Sequence, residues 1–170
     1  MGTFCDRVTE IVPKLCPRSF DKGVYNGGQE MKDFNLQWVL PGILARSCRP
    51  CYNDDASSVL LINQWLDEVA SMKIKSILCL LSQEQLDEFY GVNGIKLLDI
   101  YRTHGFIVGH VPVPDYQMPP LGGSDLALIE KVLAGLPKPW LIHCSAGIDR
   151  TGAAVEFIQN HVLNNGHKRK

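Results

Sequence analysis

Three short apolar runs, Ile74 to Leu81 (IKSILCLL), Phe106 to Val113 (FIVGHVPV) and Trp140 to His143 (WLIH), each give way to a loop and then to helical spacing. Runs of four to eight apolar residues bounded by turn signals suit strands buried on both faces, as in parallel sheets covered by helices. After the first run, Ser82 and Gln85 read as a capping box. After the second, Ser124 is placed to cap a helix whose inner face holds Leu126, Ile129, Val132, Leu133 and Leu136. After the third, a helix is expected from Ala153 to about Leu163, closing at Asn164-Asn165-Gly166. Upstream, Val59, Ile62, Leu66 and Val69 step by three and four, with Trp65 and Met72 widening the stripe and Asp54 or Asp55 as cap. Trp38 to Ser47 reads as two short strands broken by Pro41-Gly42. The expected fold is a single α/β domain, a central, mostly parallel twisted sheet flanked by helices, spanning 35–170. Residues 1–34, rich in turn formers (Pro13, Pro17, Gly23, Gly27, Gly28), are expected to form an irregular or helical cover.

Charge and cysteine usage narrow the classes of function. The chain of 170 residues has 17 Lys plus Arg against 18 Asp plus Glu, so it has no global field to gather nucleic acid or an anionic membrane. An anionic ligand must be caught locally. No apolar run approaches the ~18 residues that cross a bilayer, and Met1 to Glu10 carries charges where a secretory signal places its apolar core. A cytoplasmic monomer is expected, with neither nucleic-acid nor membrane partner. The six cysteines are irregularly spaced, and reduced thiols are expected. Cys48 and Cys51 make one CxxC, which could be half of a zinc site with Cys5 and Cys16 or a redox pair. No second CxxC and no HxxxH accompanies it, and two half-buried thiols beside Pro50 are preferred.

At the end of WLIH stands HCSAGIDRTG, His143 to Gly152. A cysteine and an arginine six positions apart, joined by a loop that leads into a helix, suit a phosphate trap. Successive backbone N–H groups of Ser145, Ala146, Gly147, Ile148 and Asp149 can point inward, and the helix N-terminus adds its positive end. Gly147 would supply a backbone conformation closed to other residues, and Gly152 close packing of helix on sheet. The same field acts on Cys144: an ordinary thiol pKa of about 8.5 falls to ~3.5–7.5 at helix N-termini, leaving a nucleophile at neutral pH. Arg150 offers a planar fork matching two phosphoryl oxygens. Asp115, on the proline-stiffened loop VPVPDYQMPP, is the expected general acid; Asp99 and Asp125 are other upstream carboxylates, but in expected helices. Thr151 can stabilise the departing sulfur anion, and His143 orients the loop through backbone hydrogen bonds. Tyr116 and Met118 could line the cleft or be exposed loop residues. No metal or other cofactor is expected, because Arg150 and the loop amides supply the positive field.

These residues resemble the cysteine-dependent protein tyrosine phosphatase superfamily, whose signature HCxxGxxR followed by Ser or Thr and Gly is filled at every fixed position. The resemblance covers roughly Asn35 to Leu163, and WVLPGILARS also looks like the first strands of small atypical dual-specificity phosphatases. It implies hydrolysis in two steps through a phosphocysteine, with Cys144, Arg150 and Asp115 as nucleophile, phosphate binder and acid. Val113-Pro114-Asp115 stands where tyrosine-specific members carry a tryptophan, which implies a shallower cleft open to phosphoserine and phosphothreonine as well. Ser145, Ala146 and Ile148 bring no lysine into the loop, which disfavours phosphoinositides; Asp149 resembles some bacterial and lipid-directed relatives and leaves inositol phosphates open. Substrates are then phosphorylated proteins or small phosphate monoesters. Only 18 residues follow Gly152, so a shortened C-terminal helical part is expected. Two other readings remain: a phosphoprotein-binding module with little turnover, and thiol redox work by Cys48 and Cys51.

Overall fold

Pro41 and Gly42 turn the chain between β1 (Gln37–Leu40) and β2 (Leu44–Ser47), which pair antiparallel. Gly42 takes φ +70°, the left-handed region where glycine carries no Cβ penalty. In the computed structural model, which describes residues 34–54 and 56–163, three further strands follow: β3 (Ser76–Cys79), β4 (Ile107–His110) and β5 (Trp140–His143). They run parallel to one another and to β2 in the order β1-β2-β5-β3-β4. The expected α/β domain with a mostly parallel sheet is what forms. The rest of the 1–34 segment before Phe34, with Cys5 and Cys16, lies outside the described residues, as do Asp55, the expected closure at Asn164-Asn165-Gly166 and the tail after it.

The doubly apolar strands sort their side chains by the period of two. Ala45, Ile77, Cys79 and Leu141 join α1 (Val59–Ser71), α2 (Gln83–Phe89) and α3 (Leu97–Thr103) through Ile62, Trp65, Leu66, Leu86, Leu97 and Tyr101. Their neighbours Leu44, Leu78, Leu80 and Ile142 join the other cluster, with Ile129 and Leu133 of α4 (Gly123–Ala134) and Ala154 and Val155 of α5 (Asp149–Phe157). The helices change face in the crossing from β4 to β5, which lands β5 between β2 and β3. The loop leaving β5 is thereby flanked by those leaving β2 and β3, at the sheet edge where such folds bind ligands.

Several boundaries depart from expectation. The helix over Val59 starts behind Ser58, not Asp54 or Asp55; backbone extension at Ser58 (φ −130°, ψ 135°) defines its start without a side-chain cap bond. Gly122, not Ser124, precedes α4, and its N–H donates to the Asp125 carboxylate at 2.8 Å. The capping box of Ser82 and Gln85 forms as read. Strand β4 is shorter than its apolar run, with Val111 and Val113 buried beyond it. Close helix-on-sheet packing occurs at Gly109 rather than Gly152. A Cβ at Gly109 would stand 2.6 Å from Val132 Cγ1, whereas one at Gly152 meets nothing within 4 Å.

Gly109→Val is therefore expected to lower stability by about 1–3 kcal/mol, the ordinary cost of overpacking. A denaturant titration should show a lower midpoint with unchanged slope.

Candidate active site

Helix α5 starts at Asp149, four residues before the expected Ala153, so the signature arginine and threonine occupy its first turn. Gly152 N–H donates to Ile148 O at 2.7 Å and closes that turn. The loop between β5 and α5 is therefore only Cys144 to Ile148, and it curls because Gly147 adopts φ +72°. A Cβ there would lie 2.3 Å from the main-chain oxygen of Ser47 and 2.7 Å from Cys48 N. The end of β2 is the wall of the loop: Arg49 N–H donates to Ser145 O at 2.9 Å, and the Arg46 guanidinium donates to Gly147 O. Cys144 and Thr151 are buried, Ser145 and Ala146 half-buried, and Ile148 and Asp149 exposed. The Thr151 hydroxyl is buried with no hydrogen-bond partner among the described residues.

Arg150 is 3% exposed and gathers several segments. Its NH1 donates to Leu80 O at 3.2 Å, Val113 O at 2.8 Å and Gln85 Oε1 at 2.8 Å. Its NH2 stands 2.9 Å from Asp115 Oδ2. Half of the fork is thus committed to the protein, and a phosphate would meet the NH2 side, where Asp115 now sits. The Asp115 carboxylate also accepts from Gln85 Nε2 at 2.8 Å and, at Oδ1, from Tyr116 N–H at 3.0 Å. The other two upstream carboxylates are engaged elsewhere: Asp99 pairs with Arg102 at 2.7 Å on an exposed face, and Asp125 caps α4. Tyr116 and Met118 are 98% and 93% exposed.

His143 is fully buried beside the nucleophile candidate. Its Nδ1 lies 3.1 Å from Cys144 O and its Nε2 3.2 Å from the Tyr101 hydroxyl. A carbonyl only accepts, so Nδ1 carries the proton and Tyr101 donates to Nε2; that tautomer suits a neutral ring. Burial drives the pKa of His143 down to about 4, against the opposing pull of the Cys144 carbonyl. Trp65 stacks on Tyr101 and meets the His143 ring edge-on, filling the space around it.

Sequence reasoning missed Arg46, Tyr101 and the second role of Gln85. A basic residue in the middle of a short, largely buried strand is the one signal for Arg46; the capping box accounts for Gln85 locally, and nothing in the sequence marks Tyr101. Cys48 and Cys51 are buried rather than half-buried, and their thiols lie 3.2 Å from Phe34 O and 3.8 Å from Ser58 O. Among the described residues no group of three or more His, Cys, Asp or Glu could hold a metal ion.

A family model described as Tc-R-P, polymorphic toxin system, DSP-PTPase phosphatase, matches residues 57–161, more than half of the chain. The chain belongs to this DSP-type phosphatase family. Among solved structures, the chain resembles the core catalytic domain of the PP-IP phosphatase SIW14 from S. cerevisiae in complex with citrate, at 24% identity and TM-score 0.49. That match covers 74% of the chain and 65% of the other, less than two thirds of its length. It also resembles the kinase associated phosphatase KAP with its catalytic-site cysteine replaced by serine, at 20% identity and TM-score 0.52, over 69% of the chain and 67% of KAP. The likeness to KAP is one of fold. No curated protein matches the chain. No helix among the described residues is long and apolar enough to cross a membrane.

Gly147→Ala is expected to disrupt the loop, through both the left-handed backbone and the clash with Ser47 O, and to abolish binding of inorganic phosphate measured by calorimetry. Gly152→Ala, inside α5 with open space, should instead raise stability by about 0.5–1 kcal/mol in a denaturant titration.

His143 binds its proton less readily folded than unfolded, from an ordinary value of 6.5 to about 4. The unfolded chain therefore takes up more protons in that window. This contribution to stability is complete above pH 6.5 and is lost as pH falls toward 4, with a slope of up to about 1.4 kcal/mol per pH unit. Unfolding midpoints across that range should show the slope, and His143→Gln should flatten it.

Proposed function

We propose that this phosphatase hydrolyses phosphate monoesters through a phosphocysteine, acting on phosphorylated proteins as a dual-specificity enzyme, and that residues 35–170 form its catalytic domain. In the first step Cys144 Sγ attacks phosphorus. The S–P bond forms, the ester P–O bond breaks, and Asp115 gives its proton to the leaving oxygen. In the second, water attacks phosphorus, the S–P bond breaks, and Asp115 takes a proton from the water. Arg150 and the amides from Ser145 to Asp149 hold the phosphoryl oxygens, with charge-assisted bonds that strengthen as the oxygens gain charge. Thr151 offers its buried hydroxyl to the departing sulfur, and His143 fixes the start of the loop through Cys144 O.

One observation carries this reading: Asp115, 29 residues before the cysteine, meets Arg150 at 2.9 Å. The loop that carries Asp115 thus already reaches the arginine that would hold the phosphate. Against polyanionic inositol phosphates stands the absence of lysine from positions 144–149. The exposed Ile148, Tyr116 and Met118 offer an apolar rim suited to the body of a phosphoprotein. A reducing compartment would keep Cys144 a thiol.

Release of phosphate from phenyl phosphate tests the reading. Cys144→Ser should abolish turnover, Asp115→Asn should lower kcat by ~10²-fold or more, and Arg150→Lys should lose most activity because a point charge cannot grip two oxygens. Binding of phosphate by the wild type with no release would instead identify a phosphoprotein-binding module. Catalytic efficiencies on phosphopeptides and inositol phosphates decide the substrate class, and a preference for the latter would overturn the protein-directed assignment.

A further inference from the structure

The side chain of Gln85 closes a ring with the two charged groups of the site. Its Oε1 accepts from Arg150 NH1 at 2.8 Å, its Nε2 donates to Asp115 Oδ2 at 2.8 Å, and that same oxygen stands 2.9 Å from Arg150 NH2. The amide orientation is forced. A guanidinium only donates, so the oxygen of Gln85 must face Arg150, which leaves its nitrogen to donate to Asp115. Gln85 is itself held from its own helix, as the third residue of α2 in a capping box with Ser82; Ser82 N–H lies 3.4 Å from Oε1 and Gln85 N–H donates to Ser82 Oγ at 3.2 Å. The anchor is well set, because Leu86 beside it is buried in the core.

We infer that Gln85 is a positioning residue for the general acid, the neutral clip that keeps Asp115 beside Arg150 when a phosphate takes over the guanidinium. This inference rests on the proposed mechanism and deepens it. In the structure Asp115 Oδ2 has two side-chain partners, Arg150 and Gln85. An arriving dianionic phosphate competes for Arg150 NH2, and a loop held by the ion pair alone would then lose its grip at the moment the leaving oxygen needs a proton. Gln85 resolves the conflict because its bond to Asp115 does not use the NH2 contact. Its bond to Arg150 uses NH1, which Leu80 O and Val113 O also fix away from the phosphate side. Being uncharged, Gln85 neither competes with the phosphate for Arg150 as an anion would nor binds the phosphate as a cation would. In the step it supports, the S–P bond forms and the P–O bond breaks as Asp115 passes to the leaving oxygen a proton that the second step, in which water is deprotonated, restores to it.

Two leaving groups separate this role from a structural one. Phenyl phosphate needs the proton, whereas 2,4-dinitrophenyl phosphate leaves as a stable phenolate without it. The ratio of kcat on the dinitrophenyl ester to kcat on the phenyl ester is expected to rise about tenfold or more in Gln85→Leu, part of the full effect of losing the acid. Gln85→Asn, which keeps an amide at the capping position but is one methylene too short to span both partners, should raise it in the same direction. In an Asp115→Asn background the same substitutions should leave the ratio unmoved, because the group they position is gone. Equal losses on both esters, an unchanged ratio, or a full further rise in the Asp115→Asn background would overturn the inference. Failure of the mechanism itself would look different: turnover of the dinitrophenyl ester would survive Cys144→Ser.

Discussion

A single buried cation ties the carboxyl edge of this sheet together. Arg150 stands in the first turn of the helix after β5, and its guanidinium reaches an oxygen beyond β3, an oxygen beyond β4 and a carboxylate on the loop that follows. Hydrogen bonds to a charged group are worth about 1.5–3 kcal/mol, and a buried charge stripped of its partners costs more than that. The packing of both apolar faces thus converges on a point where the chain cannot relax without exposing or orphaning the arginine. Site and fold share this residue, since the cation that would hold a phosphate also grips the loop that carries Asp115.

The framework was legible because burial on both faces writes unbroken apolar runs, and three such runs followed by helices leave few arrangements. The signature was legible because cysteine, glycine and arginine follow at fixed spacing from the loop after β5 into the first turn of α5. What the sequence concealed were relations between distant segments. Gln85 satisfies a local rule, the capping box, and that local explanation hid its contacts with Asp115 and Arg150. Arg46 and Tyr101 act through a backbone oxygen and a buried ring nitrogen, partners that no spacing reveals. The glycines show the same limit. Gly147 could be read from the loop it must turn, but whether Gly109 or Gly152 faces a neighbouring side chain depends on how α4 and α5 lie on the sheet.

Helix boundaries erred for a related reason. Ser124 and Asp54 are good caps in isolation, yet the observed caps, Gly122 and Ser58, are set by where the backbone leaves the extended region. At α5 the shift has chemical weight: beginning the helix at Asp149 brings Arg150 and Thr151 into its first turn, where their side chains are fixed by helical geometry and not by a mobile loop.

The contact between Gly147 and β2 also distributes evolutionary freedom unevenly. What a side chain at 147 would strike is the main-chain oxygen of Ser47, an atom every amino acid supplies. As far as that contact goes, the strand can drift through many residues at 47 without disturbing the loop, while the partner position admits one. Variation among related chains should therefore be lopsided across a contact that is, in space, shared equally.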